Sequence, residues 1–313
     1  MTPHVLVTGI SGFVGQVFCN IASLNGFALC GAVRKQKEQG VDVDQVVVGD
    51  ICGATDWCCA LSGVDVVVHL AARVHVMLDT AVEPLVAFRT VNFYGTLNLA
   101  RQAAAAGVKR FVFVSSVKVN GESTQVSHAF TEADEAAPQD AYGQSKNEAE
   151  QGLRRLSLET GMEVVIIRPP LVYGPGVKAN FAALIRAVQR GWPLPLGAVH
   201  NQRSLVALDN LVDFIVTCVT HPQAANQTFL VSDGQDLSTT ELVRGMAQAA
   251  GVPERLLPVP VWALQAGASL LGKGDSVQRL CSNLQVDISK ARSLLGWAPP
   301  VSVEEGLSRA MAV

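Results

Sequence analysis

Charge is scarce in this chain: 16 % of its 313 residues are Asp, Glu, Lys or Arg, the formal net charge is −3, and no basic run occurs. Such a surface does not release counterions from a polyanion, so nucleic-acid binding is excluded as its main business, while a small anionic ligand is not. Metal-ligand spacing is missing as well. The seven cysteines are scattered singly apart from Cys58-Cys59, with no C-x-x-C, which fits a reduced, cytoplasmic chain. No basic region precedes an apolar stretch and cleavage site at the start, so Val5-Leu6-Val7 reads as a first strand rather than a leader. The longest late apolar run, Val259 to Leu271, is interrupted by Pro260, Gln265 and Gly267 and is too short for a transmembrane segment. It is expected to form a buried or partner-facing amphipathic helix, with membrane-surface contact as the alternative. Internal repeats and low-complexity linkers are absent too.

Strand and helix signals alternate through the first half. β-branched and apolar runs at Val5 to Thr8, Phe27 to Val33, Gln45 to Val48, Asp65 to Leu70, Arg110 to Ser115 and Glu163 to Ile167 read as strands. Between them Gly12 to Leu24, Pro84 to Ala106 and Ala141 to Thr160 read as helices, the second stopped by Gly107. Apolar strands separated by helices predict an α/β fold, a Rossmann-type doubly wound parallel sheet covered on both faces. After Arg168 the rhythm changes: Pro169-Pro170, Pro175, Pro193 and Pro195 break the chain, and helices such as Phe181 to Arg190 and Thr240 to Ala250 have fewer strands between them. Residues 1–170 are therefore read as a dinucleotide-binding domain and residues 171–313 mainly as a smaller, irregular α/β substrate domain. Asp209 to Thr220 and Gln227 to Val231 are expected to return to the main sheet, so residues 209–231 belong with the first unit.

Thr8-Gly9-Ile10-Ser11-Gly12-Phe13-Val14-Gly15 follows the first strand and opens the first helix. Gly9 permits a tight turn, Gly12 lets the backbone approach a pyrophosphate, Gly15 lets helix and strand pack closely, and the helix N-terminus attracts the anion. A tight turn with no ligand is the plain alternative. At the end of the second strand, where an acidic residue would hold the ribose of NAD, stand Val33-Arg34-Lys35, with no Asp or Glu before Glu38. A cation there suits the 2′-phosphate of NADP, unless Arg34 stacks on the adenine or faces solvent, so NAD and NADP both stay open. Asp50 in Gly49-Asp50-Ile51 is placed to meet the adenine amino group, and Leu70-Ala71-Ala72 offers small residues for a cofactor to lie against.

Tyr142 and Lys146 lie on one helical face by their spacing, close enough for the ammonium to lower the phenol's pKa. A tyrosine becomes a base near neutral pH with such help; without other signals the same spacing describes an ordinary solvated helix face.

Taken in order, the TGxxGFxG start, Gly49-Asp50-Ile51, His69-Leu70-Ala71-Ala72, Val91-Asn92-x-x-Gly95-Thr96, Val114-Ser115-Ser116, Tyr142-x-x-x-Lys146, Arg168-Pro169-x-x-x-Tyr173-Gly174-Pro175 and Asp287-x-Ser289-Lys290-Ala291-x-x-x-Leu295-Gly296-Trp297 span nearly the whole chain. The sequence resembles the extended short-chain dehydrogenase/reductases, the group containing the UDP-glucose 4-epimerases and other nucleotide-sugar epimerases, dehydratases and reductases. The resemblance implies Tyr142 as the proton-transfer group for a sugar hydroxyl, Lys146 as its electrostatic partner and ligand of the nicotinamide ribose, and Ser116 as the donor to the reacting oxygen. It extends the cofactor set of Gly9, Gly12, Phe13, Val14, Gly15, Arg34, Asp50, Ile51, Leu70, Ala71 and Ala72 to Asn92, Ser115, Pro169, Tyr142 and Lys146, with Ser115 turned away from Ser116 by strand alternation. For the substrate it points to Asn180, Arg203, Arg279 and Lys118, the arginines suiting a diphosphate through their fork of donors.

The departures bear on which reaction occurs. Arg168-Pro169-Pro170-Leu171 lacks the substrate-facing asparagine of many sugar-modifying relatives, and Lys118 stands where epimerases have a small or hydroxylic residue. It is read as contacting a sugar substituent or a phosphate, or as snorkelling to water. No acidic pair follows Ser116, which disfavours dehydration. The resemblance thus implies NAD(P)-dependent hydride chemistry at C4 of a UDP-hexose or UDP-N-acetylhexosamine, epimerase-like. Its alternative is an NAD(P)H-dependent 4-keto reductase of a UDP-4-keto-6-deoxy-hexosamine, of the quinovosamine type, in polysaccharide synthesis. A non-catalytic dinucleotide sensor is the reading from another class. The resemblance also implies a homodimer, in which the helices Pro84 to Ala106 and Ala141 to Thr160 form a four-helix bundle using Leu85, Phe88, Leu97 and Leu99.

Overall fold

The strand β1, His4–Thr8, sends Val5 and Val7 to one side of a sheet and Leu6 to the other, and all three are fully buried. That requires cover on both faces. The computed structural model describes residues 2–35, 43–74, 83–270, 272 and 274–312. Its sheet is built from β1, β2 (Ala28–Val33), β3 (Asp44–Val47), β4 (Val66–His69), β5 (Arg110–Val114) and β6 (Glu163–Arg168). Further on, β7 (Leu171–Tyr173) and β8 (Leu205–Ala207) form a separate parallel pair, and β9 (Thr228–Leu230) returns to the main sheet beside β6. The seven-stranded order is β3-β2-β1-β4-β5-β6-β9, parallel throughout, a Rossmann-type arrangement. The order reverses between β1 and β4, and the crevice at the carboxyl ends of such strands is where ligands settle.

On one face lie α1 (Phe13–Leu24) and, from the second half, α6 (Leu208–Thr220), which bury Phe18, Cys19, Leu211, Phe214 and Ile215. The helical run on the other face starts at α2 (Pro84–Arg89), continues through a π-helical segment, Thr90–Gly95, and ends in α3 (Thr96–Ala105). The single long helix expected over Pro84 to Ala106 is thus interrupted by a wider turn, and that turn carries Asn92. Such a wide turn re-aims side chains within a helix and recurs at functional sites. Beside it runs α4 (Ala141–Thr160), whose start is fixed by Asp140: its Oδ1 accepts the Gly143 N–H at 2.7 Å. Gly161 closes α4 at φ +76, a left-handed conformation that side chains resist.

Residues beyond β7 build a third cluster from α5 (Ala179–Gln189), α7 (Thr239–Ala249) and later α11 (Val303–Met311), packing Phe181, Val243, Met246 and Leu307 around Tyr173. The Tyr173 hydroxyl donates to Asp233 at 2.8 Å, and the other Asp233 oxygen accepts from Ala207 N–H and Asn210 Nδ2, both at 2.7 Å. The β7–β8 pair is thereby tied to the chain leaving β9. Between α7 and α11 run α8 (Val261–Leu270), α9 (Gly274–Cys281) and α10 (Ser289–Leu295). Of the two courses expected of the apolar run, buried or partner-facing, burial within the protomer is not taken: in α8 Ala268 is buried among the described residues, while Trp262 and Leu270 are 72 % and 89 % exposed. Leu271, the end of that expected segment, lies outside the described residues. Among the described residues no helix is long and apolar enough to cross a membrane.

Candidate active site

At the carboxyl end of β1, Gly9 makes the tight turn and Gly15 the close packing that their spacing predicted. Gly9 has φ +75, and a Cβ there would come within 2.8 Å of the Ala71 amide, so the Leu70-Ala71-Ala72 segment leaving β4 sits directly against the turn. At Gly15 a Cβ would lie 2.1 Å from the Gly9 carbonyl oxygen. No side chain caps α1, and a Cβ at its N-cap, Gly12, would meet nothing nearer than the Gly9 oxygen at 3.0 Å. The first amides of α1, at Phe13 and Val14, are thus left for an anion, and these residues fit the pyrophosphate of a dinucleotide. Gly15→Ala is expected to cost about 1–3 kcal/mol through forced backbone displacement; thermal denaturation against wild type measures it.

Next to the turn, the Thr8 hydroxyl lies 2.7 Å from His69 Nδ1, and His69 Nε2 lies 3.0 Å from the Thr96 hydroxyl. Burial, with Lys146 adding to it, pushes His69 down to about 3, so it stays a neutral link between β1, β4 and α3. Asn92 is fully buried. Its Oδ1 accepts the Arg73 N–H at 2.8 Å, while its Nδ2 donates to the Arg73 carbonyl and to the Ser145 hydroxyl, both at 3.0 Å. Ser145 donates in turn to the Tyr142 carbonyl at 2.7 Å. The asparagine therefore steadies the cofactor side of the crevice against the first turn of α4.

Tyr142 has Ser116 as a neighbour, and its ring packs edge-on against Phe88 at 6.0 Å between centroids. Burial and the Asp140 carboxylate push the phenol up to about 12, against the smaller opposing effect of Ser116. The expected lowering by Lys146 is not seen in this state. Lys146 Nζ instead donates to the Val114 carbonyl at 2.9 Å and lies 4.4 Å from the centre of the Phe113 ring. Burial brings Lys146 down to about 7, with Glu150 opposing. The helix does place both residues on one face; the ammonium simply finds a carbonyl before it reaches the phenol.

Ser115, placed in the cofactor set, spends its hydroxyl on Glu150 at 2.6 Å. Glu150 is fully buried and also takes two bonds from Arg168, at 2.9 and 2.6 Å, and one from Arg154 at 2.8 Å. Arg168 reaches Asn120 Oδ1 at 3.0 Å as well. Pro169 is buried, and its carbonyl accepts the Val117 N–H at 3.0 Å, which fixes the turn after Ser116. Sequence reading missed Glu150 and Asn120 as positioning groups. The signal for Glu150 was present: it continues the Tyr142, Lys146 spacing by one more helical step.

Lys118, expected at a sugar substituent, a phosphate or water, meets two carboxylates of the chain itself. It is ion-paired to Asp140 Oδ2 at 2.5 Å and to Glu122 Oε1 at 2.7 Å. Burial lowers the Arg203 guanidinium from its usual value, with Glu122 opposing. Arg203 Nη1 donates to the Arg279 carbonyl at 2.5 Å and the Ser282 carbonyl at 3.0 Å, so these two candidate arginines are neighbours by way of a main-chain oxygen. Asn180 is exposed in the first turn of α5. At the other end of the crevice Arg34 and Asp50 are exposed, and Ile51 packs against Gly95, where a Cβ would approach within 2.6 Å of its Cγ2. Glu38 lies outside the described residues.

The crevice thus has a glycine-lined turn at one end and Ser116, Tyr142 and Lys146 at the carboxyl edge of the same sheet. The profile "NAD dependent epimerase/dehydratase family" matches residues 5–232. The chain is 51 % identical over 313 residues to a UDP-glucose 4-epimerase of Vibrio cholerae, covering 99 % of this chain and 94 % of that one. Among solved structures it is similar to a UDP-N-acetylglucosamine 4-epimerase from Bacillus cereus, with TM-score 0.81, 20 % identity and coverage of 99 % and 98 %. A UDP-glucuronic acid 4-epimerase from Bacillus cereus in complex with NAD superposes at TM-score 0.78, with 21 % identity and coverage of 98 % and 97 %. The chain belongs to the NAD dependent epimerase/dehydratase family, as an enzyme of the extended short-chain dehydrogenase/reductase type.

Proposed function

We propose that this enzyme inverts C4 of a UDP-hexose or UDP-N-acetylhexosamine. The observation that carries the reading is the placement of Ser116, just beyond β5, beside α4, which bears Tyr142 and Lys146 and whose Lys146 donates to the last carbonyl of β5, on the sheet edge that also carries the Gly9 turn. A 51 % identical relative named a UDP-glucose 4-epimerase supports both the sugar nucleotide and the position. Tyr142 takes the proton from the C4 hydroxyl and returns it, Ser116 orients that oxygen, and Lys146 supplies a positive charge one helical turn behind. NAD, when bound, supplies the hydride acceptor and donor. Gly9, Gly12 and the α1 amides would hold its pyrophosphate, and Asn92 keeps the adjoining backbone in place. Because hydride leaves and returns to the same carbon, the reaction has no net redox change and needs no second substrate.

Residues 171–313 would mainly hold the nucleotide, with Asn180, Arg203 and Arg279 toward the diphosphate. A second reading, one-way reduction of a 4-keto sugar, is favoured by Arg34, an exposed cation at the end of β2 that suits a 2′-phosphate. The deciding experiment is to denature the purified protein, identify any released dinucleotide, and incubate the native enzyme with UDP-glucose or UDP-N-acetylglucosamine without added cofactor. Bound NAD with interconversion of C4 epimers supports the epimerase. An empty site that takes NADPH, with no interconversion, overturns it in favour of the reductase.

A cytoplasmic homodimer formed through the α2–α3 and α4 faces completes the proposal. Phe88, Leu97 and Leu99 are buried within the protomer itself, so the contact would rest on what remains: Leu85, Val86, Tyr94 and the groove between Phe93, Arg101 and Gly152. Monomer alone by sedimentation at micromolar concentration counts against it.

A further inference from the structure

From Leu256 to Gly272 the chain has no Asp, Glu, Lys, Arg or His, although 16 % of its residues are charged overall. Leu256 packs against the cluster around Tyr173, as Leu194 does, and so do Val261 and Leu264 of α8, so this stretch lays one side on the substrate half. Its other side faces water. Leu257 is 49 % exposed, and Trp262, Ala266 and Leu270, four apart along α8, make one outward row with Gln265 and Ser269 beside it. An exposed helix face ordinarily carries charge; this one carries an indole and a leucine. A second apolar group adjoins it. Leu257 N–H donates to the Leu194 carbonyl at 2.8 Å and Leu194 N–H to the Arg255 carbonyl at 2.9 Å, which brings the turn before Leu194 alongside. In that turn Trp192 is 55 % exposed, with the Arg190 guanidinium 5.5 Å from the centre of its ring. Arg255 is close by, since a Cβ on Gly191 would lie 3.9 Å from its Nε. Arg190 and Arg255 are exposed and have no ion pair among the described residues, while the neighbouring acid Glu254 is taken by Arg244 at 2.8 Å.

We propose that α8, Leu257 and the Trp192 turn form a docking surface for an anionic phospholipid bilayer, with Trp262, Leu270, Leu257 and Trp192 entering the headgroup region and Arg190 and Arg255 meeting lipid phosphates. The side chains and their charge select this occupant. Tryptophan suits a boundary at which its ring is in apolar surroundings and its N–H is wet. Unpaired arginines beside exposed apolar side chains complement a negative lipid surface. The net charge of −3 makes such a surface repel the molecule at large, so attraction is confined to the side that carries these arginines. A second copy fits less well, because a two-fold contact sets like against like and would bring Arg190 and Arg255 toward their own counterparts. The helix lies along the bilayer and does not enter it end-on, since among the described residues none is long and apolar enough to cross.

The test takes the full chain with vesicles of phosphatidylglycerol and phosphatidylethanolamine. It compares wild type, Trp262→Gln/Leu270→Gln and Arg190→Gln/Arg255→Gln, with thermal midpoints close to wild type showing that each variant is folded. Wild type is expected to sediment with the vesicles. Its partition constant should fall by about 10²-fold in Trp262→Gln/Leu270→Gln, which takes two large apolar side chains out of the bilayer. In Arg190→Gln/Arg255→Gln it should fall by about 10- to 30-fold, toward the value of wild type on phosphatidylcholine vesicles. Trp262 emission, taken as the difference from Trp262→Phe in a chain with four tryptophans, shifts to the blue on binding. Wild type left in the supernatant, or a Trp262→Gln/Leu270→Gln variant that binds as wild type does, overturns the proposal. So does sedimentation velocity in which wild type self-associates, that variant does not, and vesicles fail to compete, because a second copy then covers the face. These readouts require no turnover, so failure of the docking surface and failure of the epimerase reading are told apart.

Discussion

Tyr142→Phe is expected to lower turnover by about 10²- to 10⁴-fold, the usual worth of a positioned proton-transfer group. The substitution removes one hydroxyl and keeps the ring that packs against Phe88, so the α2–α4 contact persists. The loss should fall on kcat, with bound dinucleotide and thermal midpoint close to wild type. In the structure the phenol is pushed up to about 12 by burial and Asp140, so at neutral pH it holds its proton until a positive charge comes near. Lys146, brought down to about 7 by burial and turned to Val114, is one such charge, and an oxidised nicotinamide is another. The activity should therefore rise with pH on its acid side, because the base form gains as pH climbs. Epimer interconversion followed by product chromatography checks the variant. Full turnover in Tyr142→Phe would remove Tyr142 from the mechanism altogether.

The other large effect is structural and centres on Glu150. Its carboxylate, fully buried, joins three parts of the site: α4 itself, Ser115 at the end of β5 and Arg168 at the end of β6. Glu150→Leu removes the partner of a buried guanidinium and should cost about 3–5 kcal/mol, because Arg168 is left charged without full compensation. That is a large share of a typical domain's total stability of about 5–15 kcal/mol. Replacing both partners, as in Glu150→Leu/Arg168→Met, should cost less than the sum of the two single changes, since no unmatched charge remains. Denaturant midpoints for the three variants decide the matter. A wild-type midpoint for Glu150→Leu would mean that Arg154 or solvent takes over, and the network would lose its place as the anchor of α4. In the opposite case turnover should fall as well, because the same helix carries Tyr142 and Lys146.

Much of this architecture follows from short-range rules. Val5-Leu6-Val7 could bury every side chain only in a strand covered on both faces, and Ala141–Thr160 begins at an aspartate that caps and ends at a glycine that accepts positive φ. The glycine turn was equally legible, because Gly9 and Gly15 are sterically forced and no other residue fits. Where the reading fell short, a neighbour distant in sequence intervened. The π turn at Thr90–Gly95 covers six residues, too short a run for a periodicity of its own to stand out in the sequence. The exposure of α8 depends on what packs against it, which an apolar run does not reveal.

The sequence by itself determined the parallel sheet, the glycine turn and the spacing of Tyr142 and Lys146, because each depends on backbone conformation and on residues within a few positions of one another. Tertiary structure decided the rest: that Lys146 turns to Val114, that Ser115 serves Glu150, and that Lys118 bridges Asp140 and Glu122. A cation chooses among all the oxygens within reach, and which oxygens those are is settled only when β5, its following turn and α4 are packed together.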